Sequence, residues 1–228
     1  MTEKSSGVGD VVRRTHTVCD KKGQGTITTM SSLSGASIRK TTIAINEDGS
    51  VKHHEIVKNK KTFSETTLTL SGTKATGNLS TTYALEGESY IDLHVSSEHS
   101  APDTTSTIST RGTLNGSSRA DIVGNVIINK NAEKSSGYQS STALLLSPMA
   151  VVNALPNLNI HNHDVTCSHS ASVTTIDEEQ VHYFRSRGIP ERVAKSLLSK
   201  GFLSKGVSVL PVVAQGMAEQ VLEATNDI

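Results

Sequence analysis

Aromatic residues make up only 3% of the 228 residues, and tryptophan is absent. A core without large rings must be filled by small aliphatic and β-branched side chains. That suits a regular, narrow stack better than a compact sandwich. Net charge is also missing, since Lys+Arg and Asp+Glu both number 22. This argues against a nucleic-acid or anionic-membrane surface. No apolar run reaches the length of a membrane span, and Met1-Thr2-Glu3-Lys4 is polar with no signal-peptide core behind it. A cytoplasmic location is therefore expected. Cysteine is scarce too, with only Cys19 and Cys167. In a reducing compartment each is a small buried hydrophobe or a thiolate with a role, and a structural disulfide is not expected. No Cys-x-x-Cys occurs, so one chain is not expected to close a four-ligand zinc site. There is no Gly-x-Ser-x-Gly elbow and no Gly-x-x-x-x-Gly-Lys-Ser/Thr loop. Neither hydrolase chemistry nor ATP binding by this chain is indicated.

What is present is Ser, Thr, Val, Ile and Gly, concentrated in residues 1–176. Short alternating stretches recur at 25–29, 41–45, 66–70, 90–95 and 120–128. Each reads as a strand of period two. Asp48-Gly49, Ser71-Gly72, Glu86-Gly87 and Asn115-Gly116 mark turns between them. A sandwich, a barrel and a solenoid all fit. The even, aromatic-poor character favours a β-helix, although no clean repeat motif can be extracted. Lys58-Asn59-Lys60-Lys61 reads as a solvated turn.

The pattern changes at Ile176. Asp177 suits an N-cap with Gln180 at the capping-box position, and Gly188 suits the residue after a helix ending near Arg187. Pro190 is expected at the first position of a second helix, with Val193, Ala194, Leu197 and Leu198 on one face and Gly201 at its end. A third helix is expected within 212–225, with Pro211 at its start. The organisation expected is a β body, 1–176, and a helical domain, 177–228.

The stretch His161-Asn162-His163-Asp164-Val165-Thr166-Cys167-Ser168-His169 holds three of nine histidines and one of two cysteines. In a continuous strand, 161, 163, 167 and 169 share one face and Asp164 takes the other. Thiolate and imidazole together suit iron, an iron–sulfur cluster, zinc or copper. The bland alternative is a polar strand edge with a packing cysteine. Cys19 reads as structural.

Several spaced motifs resemble the C-terminal core of the SufB/SufD family. They are Leu144-Leu145-Leu146, Pro156-Asn157-Leu158-Asn159-Ile160, Asp164-Val165-Thr166-Cys167-Ser168-His169-Ser170-Ala171, Ile176-Asp177-Glu178-Glu179-Gln180 through Tyr183 to Ser186-Arg187-Gly188-Ile189, and Leu198-Ser199-Lys200-Gly201-Phe202. The close resemblance covers roughly 140–203, and the region before it matches in character. It implies a mainly β fold, a right-handed parallel β-helix followed by a small C-terminal helical domain. It implies a non-catalytic scaffold for iron–sulfur cluster assembly, paired across a dimer and driven by a SufC-like ABC ATPase that docks on the helical domain. Cys167 and His169 match the family's interfacial Cys-Ser-His motif, with His163, Asp164 and His161 as additions. Tyr183, Arg185, Arg187, Gly188 and Phe202 are the expected ATPase-docking residues. The cargo implied is a transient iron–sulfur cluster. The implied partner besides the ATPase is a second copy or a SufB/SufD-like paralogue. Two departures stand out: Ser141 and Ser170 occupy positions where SufB carries its essential Cys and Glu. The chain is also shorter than family members, which implies a minimal homodimeric version. The alternative is an adaptor whose partner subunit carries the ligands.

Overall fold

In the computed structural model, the described residues are 2–7 and 11–223. Eleven strands come first: β1 (Thr2–Gly7), β2 (Val11–Cys19), β3 (Gln24–Ile45), β4 (Ser50–Leu70), β5 (Thr76–Leu85), β6 (Tyr90–His99), β7 (Thr105–Leu114), β8 (Arg119–Ile128), β9 (Ser135–Leu145), β10 (Val151–Ile160) and β11 (Val165–Thr175). Three helices follow: α1 (Glu178–Ser186), α2 (Glu191–Val207) and α3 (Val212–Glu223). The strand pairings are parallel and form two stacks. One stack runs β1, the first halves of β3 and β4, then β5, β7, β9 and β11. The other runs β2, the second halves of β3 and β4, then β6, β8 and β10. The chain passes from one stack to the other in every turn, which makes a parallel β-solenoid.

The repeat that the sequence hides is visible in the register. Thr28 pairs with His54, His54 with Ser80, Ser80 with Ser109, Ser109 with Ser140, and Ser140 with Ser170. One turn takes 26 residues for the first two steps and then 29, 31 and 30. One corner repeats its backbone even though its residues change. Lys22, Asp48, Lys74, Asp103 and Lys134 all take φ between 57° and 61°. Each of these N–H groups donates to a carbonyl of the next turn, at Glu47, Thr73, Pro102, Glu133 and Asp164 respectively. The left-handed conformation is disfavoured for residues with a Cβ, and here cross-turn hydrogen bonds secure it. At the opposite corner Gly87 and Gly116 take φ of 59° and 68° and stack closely.

Alternation places every second side chain inside. Ile43, Ile45, Leu68, Leu70, Ile91, Leu93, Ile108, Leu114 and Ile128 fill the interior, and Tyr83 is the large ring among the fully buried side chains. Gly112 faces Tyr83 across the β5–β7 pair, in the space the ring occupies. A second apolar cluster lies outside the solenoid. There Leu203, Val207 and Leu210 with Ala214, Ala218, Val221 and Leu222 of the helical region cover Met30, Ile56 and Ala84.

Three local expectations are corrected. Residues 58–61 are not a turn; they lie inside β4, which continues past the corner without a break. Pro190 is the N-cap of α2 and not its first helical residue; its φ of −57° still suits the entry. Gly201 does not end α2. The helix runs on to Val207 because Leu203 and Val207 bury against the sheet, which outweighs a helix-interior glycine at about 1 kcal/mol. Asp177 does cap α1, its Oδ1 accepting from the Glu179 N–H at 2.9 Å. Gly188 follows the helix at φ 80°, donating to Arg185 O. Residues 224 and 225 of the expected third helix lie outside the described residues. Among the described residues no helix is long and apolar enough to cross a membrane.

Candidate functional site at the open end of the solenoid

β10 and β11 close the strand order at its two ends, so each has one paired and one unpaired edge. Their inward faces meet no further turn. Parallel pairing aligns Cys167 with Gly137 and His169 with Gln139. Val165, Cys167, His169, Ala171 and Val173 share the face of β11 that continues the solenoid interior. Cys167 is half-buried and packs against the interior cluster, while His169 is exposed at the mouth. A cleft of about 520 Å³ opens beside them, lined by Val152, Ala154, Ala171 and Val173 among others.

The sulfur has polar neighbours behind it. Gly137 has no side chain, and a Cβ built there would stand 3.6 Å from both Cys167 Sγ and His99 Nε2. His99 is fully buried, with Nδ1 2.7 Å from Thr104 Oγ1 and Nε2 2.8 Å from Ser106 Oγ. Ser106 in turn donates to Ser97. Burial pushes His99 down to about 4, so its ring is neutral at neutral pH. Burial also raises the Cys167 thiol, with the Gly137 backbone hydrogen bond pulling partly back. The resting group is a protonated thiol, and a thiol can ligate a metal only after its proton has gone to solvent or a base.

The expected face shared by 161, 163, 167 and 169 does not form. β10 ends at Ile160 and β11 begins at Val165, so His161, His163 and Asp164 lie in the corner between strands. The Asn162 amide donates to Lys130 O at 2.7 Å, and the Asp164 N–H donates to Asn162 Oδ1 at 2.8 Å. That Asx turn bends the backbone, so strand periodicity fails there. His163 and Asp164 are exposed just before β11. Among the described residues no group of three or more His, Cys, Asp or Glu could hold a metal ion. Within one chain, then, Cys167 and His169 are an incomplete ligand set. Ser141 is buried and accepts from Thr110 Oγ1 at 2.8 Å. Ser170 is exposed. Cys19 packs in the interior, its thiol 3.3 Å from Gly23 O.

On α1, Tyr183 is exposed and the Arg187 guanidinium lies 5.4 Å from its ring centroid. Arg185 reaches Glu191 at 3.6 Å. Gly188 follows Arg187, with open space where its Cβ would stand. Phe202 stands apart from it, half-buried on α2 beneath the Arg111 guanidinium at 4.7 Å. Sequence reading missed His99 and Ser106. Their signal was parity: Ile91, Leu93 and Val95 set the inward face of β6, and His99 continues it.

Residues 5–202 match the family model of the SUF system FeS cluster assembly, SufBD core domain. The match extends well before the motifs around Cys167. The chain is 33% identical over 161 residues to the iron-sulfur cluster assembly protein SufD of Bacillus subtilis, covering 71% of this chain and 36% of that protein. It is 36% identical over 104 residues to the SufD protein of Escherichia coli, covering 46% of this chain and 24% of that protein. It is 39% identical over 95 residues to the chloroplastic protein ABCI7 of Arabidopsis thaliana, covering 42% of this chain and 20% of that protein. These matches span between 20% and 36% of the relatives' own length.

Proposed function

The chain belongs to the SufBD core family of the SUF iron–sulfur cluster assembly system, and on that premise we propose that it is a non-catalytic scaffold subunit. Its cargo is a nascent cluster held where two β-helices meet. The observation that carries this reading is the position of Cys167 and His169 on an edge strand at an open solenoid end. An unpaired parallel edge invites pairing with another chain. Val151, Leu155, Ile160 and Val173 are exposed apolar residues at this end, surface that an interface would cover. Two copies joined there supply two thiolates and two imidazoles, with His163, His161 and Asp164 as further donors at the rim. Such a mixed set of sulfur and nitrogen ligands, shared between chains, loosens when the interface shifts, which suits a cluster that must be handed on.

The β body, 1–176, is the scaffold in this reading, and the helical domain, 177–228, docks a SufC-like ABC ATPase. Tyr183, Arg185, Arg187 and Gly188 form the docking surface, and Phe202, standing apart from them on α2, is a further docking residue. ATP hydrolysis belongs to that partner, and the cytoplasm is the proposed location. A second reading is favoured by Ser141, which is buried against Thr110 where a SufB-type ligand would stand. In it the chain is an adaptor, and a paralogous subunit carries the ligands.

One experiment separates the two. The protein is purified anaerobically with its ATPase, reconstituted with iron and sulfide, and followed by absorption and Mössbauer spectroscopy. The scaffold reading expects a cluster in the wild type that is lost or altered in Cys167→Ala and His169→Ala. A wild type without cluster, or a cluster indifferent to both changes, sinks the ligand assignment and leaves the adaptor. Retention of the ATPase after truncation at residue 176 contradicts the docking assignment.

A further inference from the structure

A second cavity lies on the outer face of the solenoid, away from the Cys167 end. It measures about 300 Å³ and sits between β4, β5 and β7 on one side and the end of α2 on the other. Pairing register places its wall residues in rows. Lys52, Asn78 and Thr107 follow one another in one row, His54, Ser80 and Ser109 in the next, and Thr82 pairs with Arg111. Lys205, Gly206 and Val209 supply the opposite wall. Gly206 approaches Thr82 so closely that a Cβ there would meet its hydroxyl, which brings the helix down onto the sheet.

The lining has an unusual charge balance. It holds three cations, Lys52, Arg111 and Lys205, and no carboxylate. Among the described residues none of the three forms an ion pair. The Arg111 guanidinium carbon lies over the Phe202 ring, 4.7 Å from its centroid, and a guanidinium held by an aromatic ring can still donate its N–H groups to an anion. Hydroxyls of Ser80, Thr82, Thr107 and Ser109 line the same cavity. His54 lines it too, although it is only 4% exposed. Its Nδ1 lies 2.6 Å from Ser80 Oγ, and its Nε2 has no hydrogen-bond partner. A buried polar nitrogen without a partner costs free energy, and here it stands among cations that also have no counter-charge. With the Ser80 hydroxyl donating to Nδ1, Nε2 carries the proton and is a donor.

We propose that this cavity is a phosphoryl-binding site, formed by Lys52, Arg111, Lys205 and His54 with the surrounding hydroxyls. The chemistry is that of a tetrahedral oxyanion: converging cations and hydroxyls, a planar guanidinium edge and a neutral imidazole donor. The volume exceeds a bare phosphate, so it also takes a small phosphorylated molecule. Because α2 forms one wall and the sheet the other, a bound phosphoryl group ties the helical region to the β body. This does not depend on Cys167 or on any cluster.

The test titrates the full chain with inorganic phosphate and, separately, with glycerol 3-phosphate. Ionic strength is matched with chloride, because exposed charges are salt-screened. Binding is read by calorimetry and by thermal melting. Saturable binding with a raised melting temperature is expected, weakened at least tenfold in the double variant Lys52→Gln/Lys205→Gln. Both lysines are at the surface, and an unchanged circular dichroism spectrum without ligand shows that the variant folds. A site that takes inorganic phosphate points to the free ion, and one that takes only the ester points to a phosphorylated metabolite; both support the proposal. Absence of saturable binding by either compound overturns it, as does undiminished binding in the double variant. Binding of a polyglutamate peptide in place of either phosphate also overturns it, and would mark the cavity as a docking point for an acidic chain.

Discussion

Among the described residues the solenoid interior contains one ion pair removed from water, and its loss should dominate the stability of the N-terminal turns. Arg39 Nη1 lies 3.2 Å from Glu55 Oε1, and the two side chains are 5% and 3% exposed. Ser64 Oγ lies 3.0 and 3.1 Å from the two carboxylate oxygens. At an effective dielectric constant of about 20, opposite charges at that separation attract by about 5 kcal/mol. Glu55→Gln removes that attraction and leaves the buried guanidinium without its counter-charge. It should lower stability by about 3–5 kcal/mol, a large share of the roughly 5–15 kcal/mol typical of a domain. The remaining cation also stands near His53, which burial already holds below its ordinary pKa. Replacing both partners, Arg39→Met/Glu55→Leu, removes both charges and should cost less than the sum of the single changes by about 2 kcal/mol or more. Urea unfolding at pH 7, followed by far-UV circular dichroism, measures Glu55→Gln and the four corners of the cycle: wild type, Arg39→Met, Glu55→Leu and the double variant. A Glu55→Gln loss below about 1 kcal/mol, or additivity within about 0.5 kcal/mol, would refute the reasoning.

Two further outcomes follow from buried side chains. His99 has its pKa pushed by burial from 6.5 to about 4, so the unfolded chain binds the proton first as pH falls. Stability fully present above about pH 6.5 should then be lost progressively towards pH 4, by on the order of 2–3 kcal/mol for this residue; urea midpoints across that range should fall in the wild type and fall less steeply in His99→Gln. Gly112→Ala places a methyl group in the Tyr83 ring, which has no room to move. It should cost about 1–3 kcal/mol and lower the melting temperature by several degrees, and a companion Tyr83→Leu should recover part of that loss.

Much of the architecture was legible in the chain. The period-two stretches became strands at the expected places. Low aromatic content did signal a narrow aliphatic interior. Asp177 and Gly188 bounded α1 because caps and left-handed glycines act locally. The errors lie where distant contacts override local preference. Gly201 stays helical because residues beyond it bury against the sheet. Lys58 and Asn59 stay extended because they pair with Ser32 and Leu33 of the preceding turn, and Lys61 because it pairs with Ala36 on one side and Tyr90 on the other.

The candidate site divides in the same way. Its residue types were on the page in the sequence: a cysteine and histidines within one short stretch. Strand parity alone put Cys167 and His169 on one face. Only the tertiary structure decided that this face is the unfinished end of a solenoid, that His161 and His163 turn away at an Asx corner, and that His99 lies behind the sulfur. The repeating corner shows the cause most plainly. Lys22, Lys74 and Lys134 are opposite in charge to Asp48 and Asp103, yet all five share one backbone conformation. Hydrogen bonds between turns impose it, and those bonds join residues 25 to 30 positions apart, where local sequence carries no trace of them.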